Sequence, residues 1–197
     1  MLWPGHPQIQ DDELLSSWIV RVGRANGLGA QGFWSTINPD RNSRLASVDR
    51  RASESLLRVL AAGTGTSLKR IRAAILLSES DSAQVLTRQR HRPNVRYCSV
   101  CFLEDKEPYF RRSWQSSCAL LCDQHSAWLS ANCHSCAEAI GLIMISLEQS
   151  HLAICANCGQ FLGARIEQRP ESPERRQLIT MQKRLLSTFP NTHSSLG

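Results

Sequence analysis

The sequence predicts a mainly α fold with small zinc-ribbon β elements, and two observations support this. Between residues 11 and 77 the apolar residues recur at helical spacing. Between residues 98 and 158 cysteines recur in close pairs, separated by short β-prone runs. We therefore expect an N-terminal helical domain (1–77), a linker (78–93), a tandem zinc-finger domain (94–168) and a C-terminal helix with a tail (169–197).

Caps and stop signals divide the N-terminal region into four short predicted helices. The first begins at Asp11 or Asp12, and the second ends before Pro39. The third begins near Ser53 and stops at Gly63, and the fourth follows a cap at Thr66 or Ser67. The apolar faces of these helices contain Leu14, Leu15, Trp18, Ile19, Val22, Phe33, Trp34, Ile37, Leu56, Leu57, Leu60, Leu68, Ile71, Ile75 and Leu76.

The third and fourth predicted helices are joined by Gly63-Thr64-Gly65, which is the outline of a helix-turn-helix. The fourth helix then presents Lys69, Arg70 and Arg72 as candidate phosphate or partner contacts. An ordinary helical hairpin with a solvated basic face fits the same pattern, so both interpretations stay open. Trp3 lies outside the predicted helices and is a candidate anchor for a partner surface.

A last helix is predicted from Ser172, its cap, to Phe189, with Pro173 at the first helical position. Its apolar face contains Leu178, Ile179, Leu185 and Leu186. Packing against its own chain and docking to a partner are equally compatible with this pattern.

The cysteines supply most of a predicted metal-ligand set. Two sulfurs held in one tight turn lie about 3.7 Å apart, which is an edge of a Zn²⁺ tetrahedron. In sequential order, two structural Zn²⁺ ions are bound by Cys98, Cys101, Cys122 and His125, and by Cys133, Cys136, Cys155 and Cys158. A crossed pairing of these half-sites stays open, although sequential pairing closes shorter loops. Cys118 is left over and is expected to be a small buried hydrophobe.

We expect these metal sites to be structural. Each has four protein ligands, which leave no open position for a catalytic water, and each span is too short for a core of its own. The order Cys136-Ala137-Glu138 before Cys155-x-x-Cys158 echoes nucleobase deaminases. However, Ile154 replaces the proline of that motif, and Cys133 is ready to fill the open position. We therefore expect no enzymatic activity.

Charge and hydropathy restrict the partners. The net charge of +6 is concentrated at both ends, because residues 91–168 carry a net charge of −1. The longest apolar stretch, residues 139–147, is much shorter than the ~20 residues of a membrane span. The first residues lack the features of a secretory signal. We expect a protein of a reducing compartment with reduced cysteines and no membrane contact.

The ordered motifs resemble the TniQ family, the transposon target-selection proteins related to TnsD proteins. They are a helical segment with Glu13-Leu14-Leu15-Ser16-Ser17-Trp18 and Arg24-Ala25-Asn26-Gly27-Leu28, then Arg96-Tyr97-Cys98-Ser99-Val100-Cys101, Trp114, Cys122-x-x-His125 and two more C-x-x-C pairs. The resemblance covers about residues 11–165. It implies a helix-turn-helix domain followed by a double zinc-finger domain, with the seven paired cysteines and His125 as zinc ligands.

The resemblance also implies a cytoplasmic, DNA-associated bacterial protein that acts as a non-enzymatic adaptor. Such an adaptor links a targeting complex to the TnsC-like AAA+ ATPase on DNA, and so to the transposase. The chain stops near the point where longer relatives begin a further helical domain, which favours the short form found in CRISPR-associated transposons. There the targeting complex is an RNA-guided CRISPR effector. The alternative function is a sequence-specific helix-turn-helix DNA-binding regulator with structural zinc fingers.

Overall fold

The computed structural model describes residues 1–40, 43–76, 95–116, 119–164 and 173–188, with side chains of the last range from 177 to 184. The predicted linker and Cys118 lie outside these ranges. In the described ranges the helices are α1 (Leu15–Ala25), α2 (Ala30–Ile37), α3 (Glu54–Thr64), α4 (Leu68–Ala73), α5 (Ser99–Glu104) and α6 (Pro173–Thr188). Short 3₁₀ turns span Leu45–Ser47, Ser113–Gln115 and Leu142–Met144.

The described part of the chain is mostly helical, with two cysteine-rich clusters. β-Pairing there is confined to isolated bridges: Glu13–Arg111, Tyr97–Ser130, Leu121–Trp128, Asn132–Ala139 and Ile154–Phe161. No helix in these ranges combines the length and apolar composition needed to cross a membrane.

Helix α1 begins later than its predicted cap. Glu13 pairs with Arg111 in an antiparallel bridge, and the Leu14 N–H donates to the Phe110 carbonyl at 2.9 Å. These contacts hold the backbone extended, so α1 starts only at Leu15. The Asp12 carboxylate does not cap α1 and accepts a 2.6 Å hydrogen bond from the Ser113 hydroxyl.

Helix α3 is capped as predicted but runs through its expected stop. The Ser53 hydroxyl accepts from the Leu56 N–H at 3.3 Å, and Gly65 ends the helix in the left-handed region at φ 71°. Gly63 lies inside the helix, where its missing side chain makes room for an aromatic ring. A Cβ on Gly63 would lie 2.3 Å from Cε2 of Trp3.

Helix α4 has the predicted start and an earlier end. The Ser67 hydroxyl accepts from the Arg70 N–H at 3.3 Å, as expected for a cap. The helix ends at Ala73, and the Leu76 N–H then donates to the Asp49 carbonyl at 2.6 Å. This tertiary contact diverts the backbone from helical geometry.

One hydrophobic core joins the helical region to the cysteine-rich region. Phe102 stacks on Tyr97 at 5.2 Å between ring centroids and meets the rings of Phe110 and Trp114 edge-on. The same cluster contains Leu14, Trp18, Val48, Leu60 and Ile71 from the helical region and Ile140, Leu142, Ile145 and Leu152 from the cysteine-rich region. Where the predicted domain boundary falls stays a prediction, but the two regions pack as neighbours.

Candidate metal centres

The structure brings the predicted ligands together in two clusters. The first contains Cys98, Cys101, Cys122 and His125, and the second contains Cys133, Cys136, Cys155 and Cys158. Within each cluster the ligand atoms lie within 4.8 Å of one another. This grouping follows the sequential pairing rather than the crossed one. All seven described cysteines are free thiols.

The distances between donor atoms fit a tetrahedral metal ion. The Sγ–Sγ distance is 3.6 Å for Cys101–Cys122, 3.7 Å for Cys133–Cys158 and 3.8 Å for Cys136–Cys155. These values are close to the tetrahedral edge for a Zn–S bond of about 2.3 Å. Thiolate and imidazole donors are also those that Zn²⁺ prefers. The clusters are therefore compatible with zinc.

Three of the four half-sites share one backbone turn. Each is followed by a residue in the left-handed region: Ser126 at φ 50°, Ala137 at φ 58° and Gly159 at φ 72°. The N–H of that residue donates to the carbonyl of the first ligand, in the pairs Ser126–Cys122, Ala137–Cys133 and Gly159–Cys155. The N–H of the first ligand donates in turn to the carbonyl one residue further on, at 2.7 to 2.8 Å. This turn aims both ligand side chains at one point.

The half-site formed by Cys98 and Cys101 has a different structure. Cys98 is the N-cap residue of α5, and the Phe102 N–H donates to its carbonyl at 3.1 Å. The sequence did not predict this helix, which forms because Cys101 and Phe102 bury one face of it against the aromatic cluster. The first cluster therefore combines a helix with a turn, whereas the second combines two turns.

His125 is held by a carboxylate behind it. Its Nδ1 lies 3.2 Å from the Cys101 sulfur, and its Nε2 lies 2.9 Å from a carboxylate oxygen of Glu104. If Nδ1 binds a metal ion, the ring hydrogen lies on Nε2, which then donates to Glu104. Such a carboxylate orients a histidine toward its metal. Glu104 was not predicted from the sequence. It lies three residues after Cys101, so a prediction of α5 would have placed both residues on one face of the helix.

Within each cluster the thiol pKa values shift in opposite directions: they are raised at Cys98, Cys101 and Cys158 and lowered at Cys122 and Cys136. The Glu138 N–H donates to the Cys136 sulfur and lowers the pKa of that thiol to about 7. Hydrogen bonds from the Cys101 and Cys98 thiols lower the pKa of Cys122 well below its ordinary value. A lowered pKa suits a metal ligand because the metal binds the deprotonated sulfur.

The two clusters differ in burial. The cysteines of the first cluster are all buried in the shared core. In the second cluster Cys133 and Cys155 are also buried, whereas Cys136 is half-buried and Cys158 is exposed, so one side of this cluster is open to solvent. The first cluster is also braced by Arg111, which makes two hydrogen bonds to the Asp105 carboxylate after α5. We therefore infer that the first cluster is integral to the core and the second is peripheral.

The remaining candidate residues contact their own chain. Arg70 donates to the Ile9 carbonyl at 2.9 Å and forms an ion pair with Asp11. Arg72 forms an ion pair with Glu54 at 2.7 Å, and Lys69 is exposed. Trp3 is half-buried and meets the Phe33 ring edge-on at 5.3 Å. Contacts of these four residues with DNA or a partner stay predictions. Of the residues discussed for the deaminase-like motif, Glu138 is exposed, and Cys133 lies in the second cluster.

Comparison with known proteins identifies the family. A family model described as TniQ matches residues 4–129, which is more than half of the chain. The match includes α1 to α5 and the first cluster, whereas the second cluster and α6 lie beyond it. A comparison with curated proteins gave no match. The chain therefore belongs to the TniQ family, whose members take part in transposon target selection.

Proposed function

We propose that the protein is a non-enzymatic adaptor in transposon target selection. It links a targeting complex to a TnsC-like AAA+ ATPase on DNA, and so to the transposase. In a CRISPR-associated transposon the targeting complex is an RNA-guided effector. The observation that carries this proposal is the TniQ match over residues 4–129.

The ligand composition of the two clusters supports a structural role for the metal. Each supplies four protein donor atoms, so a bound Zn²⁺ would have no vacant position for water or substrate. The first cluster also lies among buried aromatic residues, where a metal would fix α5 against the Cys122–His125 turn. Zinc at these positions stabilises the surface that a partner recognises.

The second candidate function is a sequence-specific DNA-binding regulator. Helices α3 and α4 are joined by Gly65-Thr66-Ser67, a connection of the length found in helix-turn-helix motifs. However, α4 has six residues, and both of its arginines pair with carboxylates of this chain. These pairings favour the adaptor.

Co-sedimentation separates the two functions. The full chain is incubated with the transposon's own ATPase, ATP and DNA, and the pellet is analysed for both proteins. We expect the chain to sediment with the ATPase filament. Mobility shifts with unrelated duplexes measure sequence preference in parallel. Strong preference for one DNA site, together with no association with the ATPase, would favour the regulator and overturn the adaptor.

A further inference from the structure

The connection between α2 and α3 forms a basic face. The Ser47 N–H donates to the Arg44 carbonyl at 2.8 Å, and the Arg50 N–H donates to the Ser47 carbonyl at 3.2 Å. These are two consecutive 3₁₀-type turns, in which side chains three residues apart lie on the same face. Arg44, Ser47 and Arg50 are accordingly exposed together, and Arg51 extends the face. Leu45 and Val48 are buried on the opposite side.

The arginines of this face lack acidic partners among the described residues. The ion pairs of that part of the chain do not include Arg44, Arg50 or Arg51. The adjacent carboxylate, Asp49, is buried and accepts two hydrogen bonds from Ser16. Arg50 acts on Asp49 only through its charge.

Helix α4 differs in this respect. Arg70 is held by Asp11 and the Ile9 carbonyl, and Arg72 is held by Glu54. A ligand that recruited these two side chains would first have to break their contacts. The positive charge that is free to meet an anionic ligand is therefore greater on the α2–α3 connection than on α4.

The composition around the basic face fits a phosphodiester backbone. Between residues 43 and 58 the large apolar side chains are buried, and the exposed positions are mainly serines and arginines. Hydroxyl and guanidinium groups are the usual donors to phosphate oxygens, whereas protein interfaces are centred on apolar and aromatic residues. The same stretch contains no aromatic residue, so it offers no platform on which unpaired bases stack. Duplex DNA is thus the ligand that this surface fits best.

We propose that Arg44, Arg50 and Arg51 form a surface that binds the phosphate backbone of duplex DNA, and that α4 does not carry this contact. The proposal rests on the proposed function, in which the protein works on DNA beside an ATPase. It assigns the DNA contact to the α2–α3 connection. Because phosphates carry no base identity, this binding is independent of sequence and sensitive to salt.

The test compares two variants of the full, zinc-loaded chain that lose the same charge. One is R44Q/R50Q/R51Q, and the other is K69Q/R70Q/R72Q. Fluorescence anisotropy measures the Kd for two unrelated labelled duplexes between about 50 and 200 mM salt. We expect R44Q/R50Q/R51Q to raise the Kd about tenfold or more for both duplexes and to reduce the salt slope by about 2 to 3. The control is expected to change the Kd less than about threefold, through long-range charge alone.

Three results would overturn this inference: equal losses from the two variants, no loss from R44Q/R50Q/R51Q, or tighter binding of single-stranded RNA than of duplex DNA. Zinc content and a melting curve establish that each variant is folded. If the triple variant misfolds, R44Q and R51Q are measured singly, each with an expected loss of about threefold.

Failure here is distinguishable from failure of the adaptor proposal. Binding of the chain to the ATPase, measured without DNA, tests the adaptor proposal and does not depend on DNA binding by the basic face. If the chain binds the ATPase while both triple variants bind DNA normally, only the basic-face inference is wrong. If the basic face binds DNA as expected and the ATPase is not bound, only the adaptor proposal is wrong.

Discussion

Asp49 is a buried carboxylate that ties the α2–α3 connection to α1. Its two oxygens accept hydrogen bonds from the Ser16 N–H at 2.7 Å and from the Ser16 hydroxyl at 2.6 Å. Burial raises the pKa of Asp49 from 3.8 to about 6, and the bonds from Ser16 only partly oppose this shift. The folded chain therefore binds the Asp49 proton more tightly than the unfolded chain does.

This shift predicts a pH-dependent difference between the wild type and Asp49→Asn. As pH rises from about 4 to 6, Asp49 ionises at a cost of up to about 3 kcal/mol in the free energy of unfolding. The amide oxygen of asparagine still accepts from the Ser16 N–H but never ionises. We therefore expect the free energy of unfolding of the variant, measured with urea, to increase relative to that of the wild type across this pH range. The difference should reach a plateau near pH 7. Glu148→Gln at an exposed site is the control, and a difference independent of pH would contradict the assignment.

Gly63 gives a second prediction at the residue scale, because the Trp3 ring lies against its Cα. In Gly63→Ala the new Cβ would lie 2.3 to 2.4 Å from three ring atoms. We expect displacement of Trp3 and a loss of about 1 to 3 kcal/mol in the free energy of unfolding. Tryptophan fluorescence and thermal melting measure the two effects.

Gly32 provides the matched control, since it is exposed on α2 and has no atom within 4 Å of the position of a Cβ. Gly32→Ala is expected to stabilise by up to about 1 kcal/mol, because alanine loses less conformational freedom in a helix. If the two variants had equal stability, the close packing of Trp3 on Gly63 would be refuted.

At the scale of elements, α6 is fastened to the cysteine-rich region by Gln182. The amide oxygen of Gln182 accepts from the Leu120 and Leu121 N–H groups at 2.8 and 3.0 Å, and its amide nitrogen donates to the Leu121 carbonyl at 2.7 Å. The side chain thus occupies a backbone edge beside Cys122 as a neighbouring strand would. Helix α6 therefore packs on its own chain, which was one of the two interpretations of its sequence.

We predict that Gln182→Ala loosens α6. Three hydrogen bonds are lost, each worth about 1 kcal/mol. Hydrogen exchange at the Leu120 and Leu121 amides is expected to accelerate about tenfold or more. Gln177→Ala, at an exposed position of the same helix, should leave these amides protected. Unchanged exchange in Gln182→Ala would show that α6 is not held by this contact.

At the scale of the whole molecule, the different burial of the clusters predicts different consequences of losing a metal. Cys101 lies in the shared core, so Cys101→Ser is expected to abolish cooperative folding of the helices as well as metal binding at the first cluster. Cys158 is exposed, so Cys158→Ser should remove one zinc while the far-ultraviolet dichroism of α1 to α4 persists. Elemental analysis and thermal melting measure both outcomes. Equal effects of the two substitutions would contradict the distinction between an integral and a peripheral cluster.

Local patterns account for much of what the sequence predicted correctly. Ser53 and Ser67 cap their helices because a cap depends on neighbouring residues, and the close ligand pairs specify their own turns. By contrast, α5 was missed because a six-residue helix has little periodic signal and depends on burying Cys101 and Phe102. The face of α6 was also misjudged in part. Among the described side chains of α6, from 177 to 184, Leu178 is exposed and the one buried residue is the polar Gln182.

The family, the ligand pairs and the predominance of helices could be predicted from the sequence, since they depend on residue type and short-range spacing. Which half-sites meet became clear from the three-dimensional structure, because their pairing depends on the path of the chain through space. The structure also shows that one core joins α1 to the cysteine-rich region through the Phe110–Leu14 contact. The charges on Arg70 and Arg72 look free in the sequence, and folding pairs them with Asp11 and Glu54. An ion pair forms only when the two charged groups lie close together in space, and this distance cannot be predicted from composition and sequence spacing.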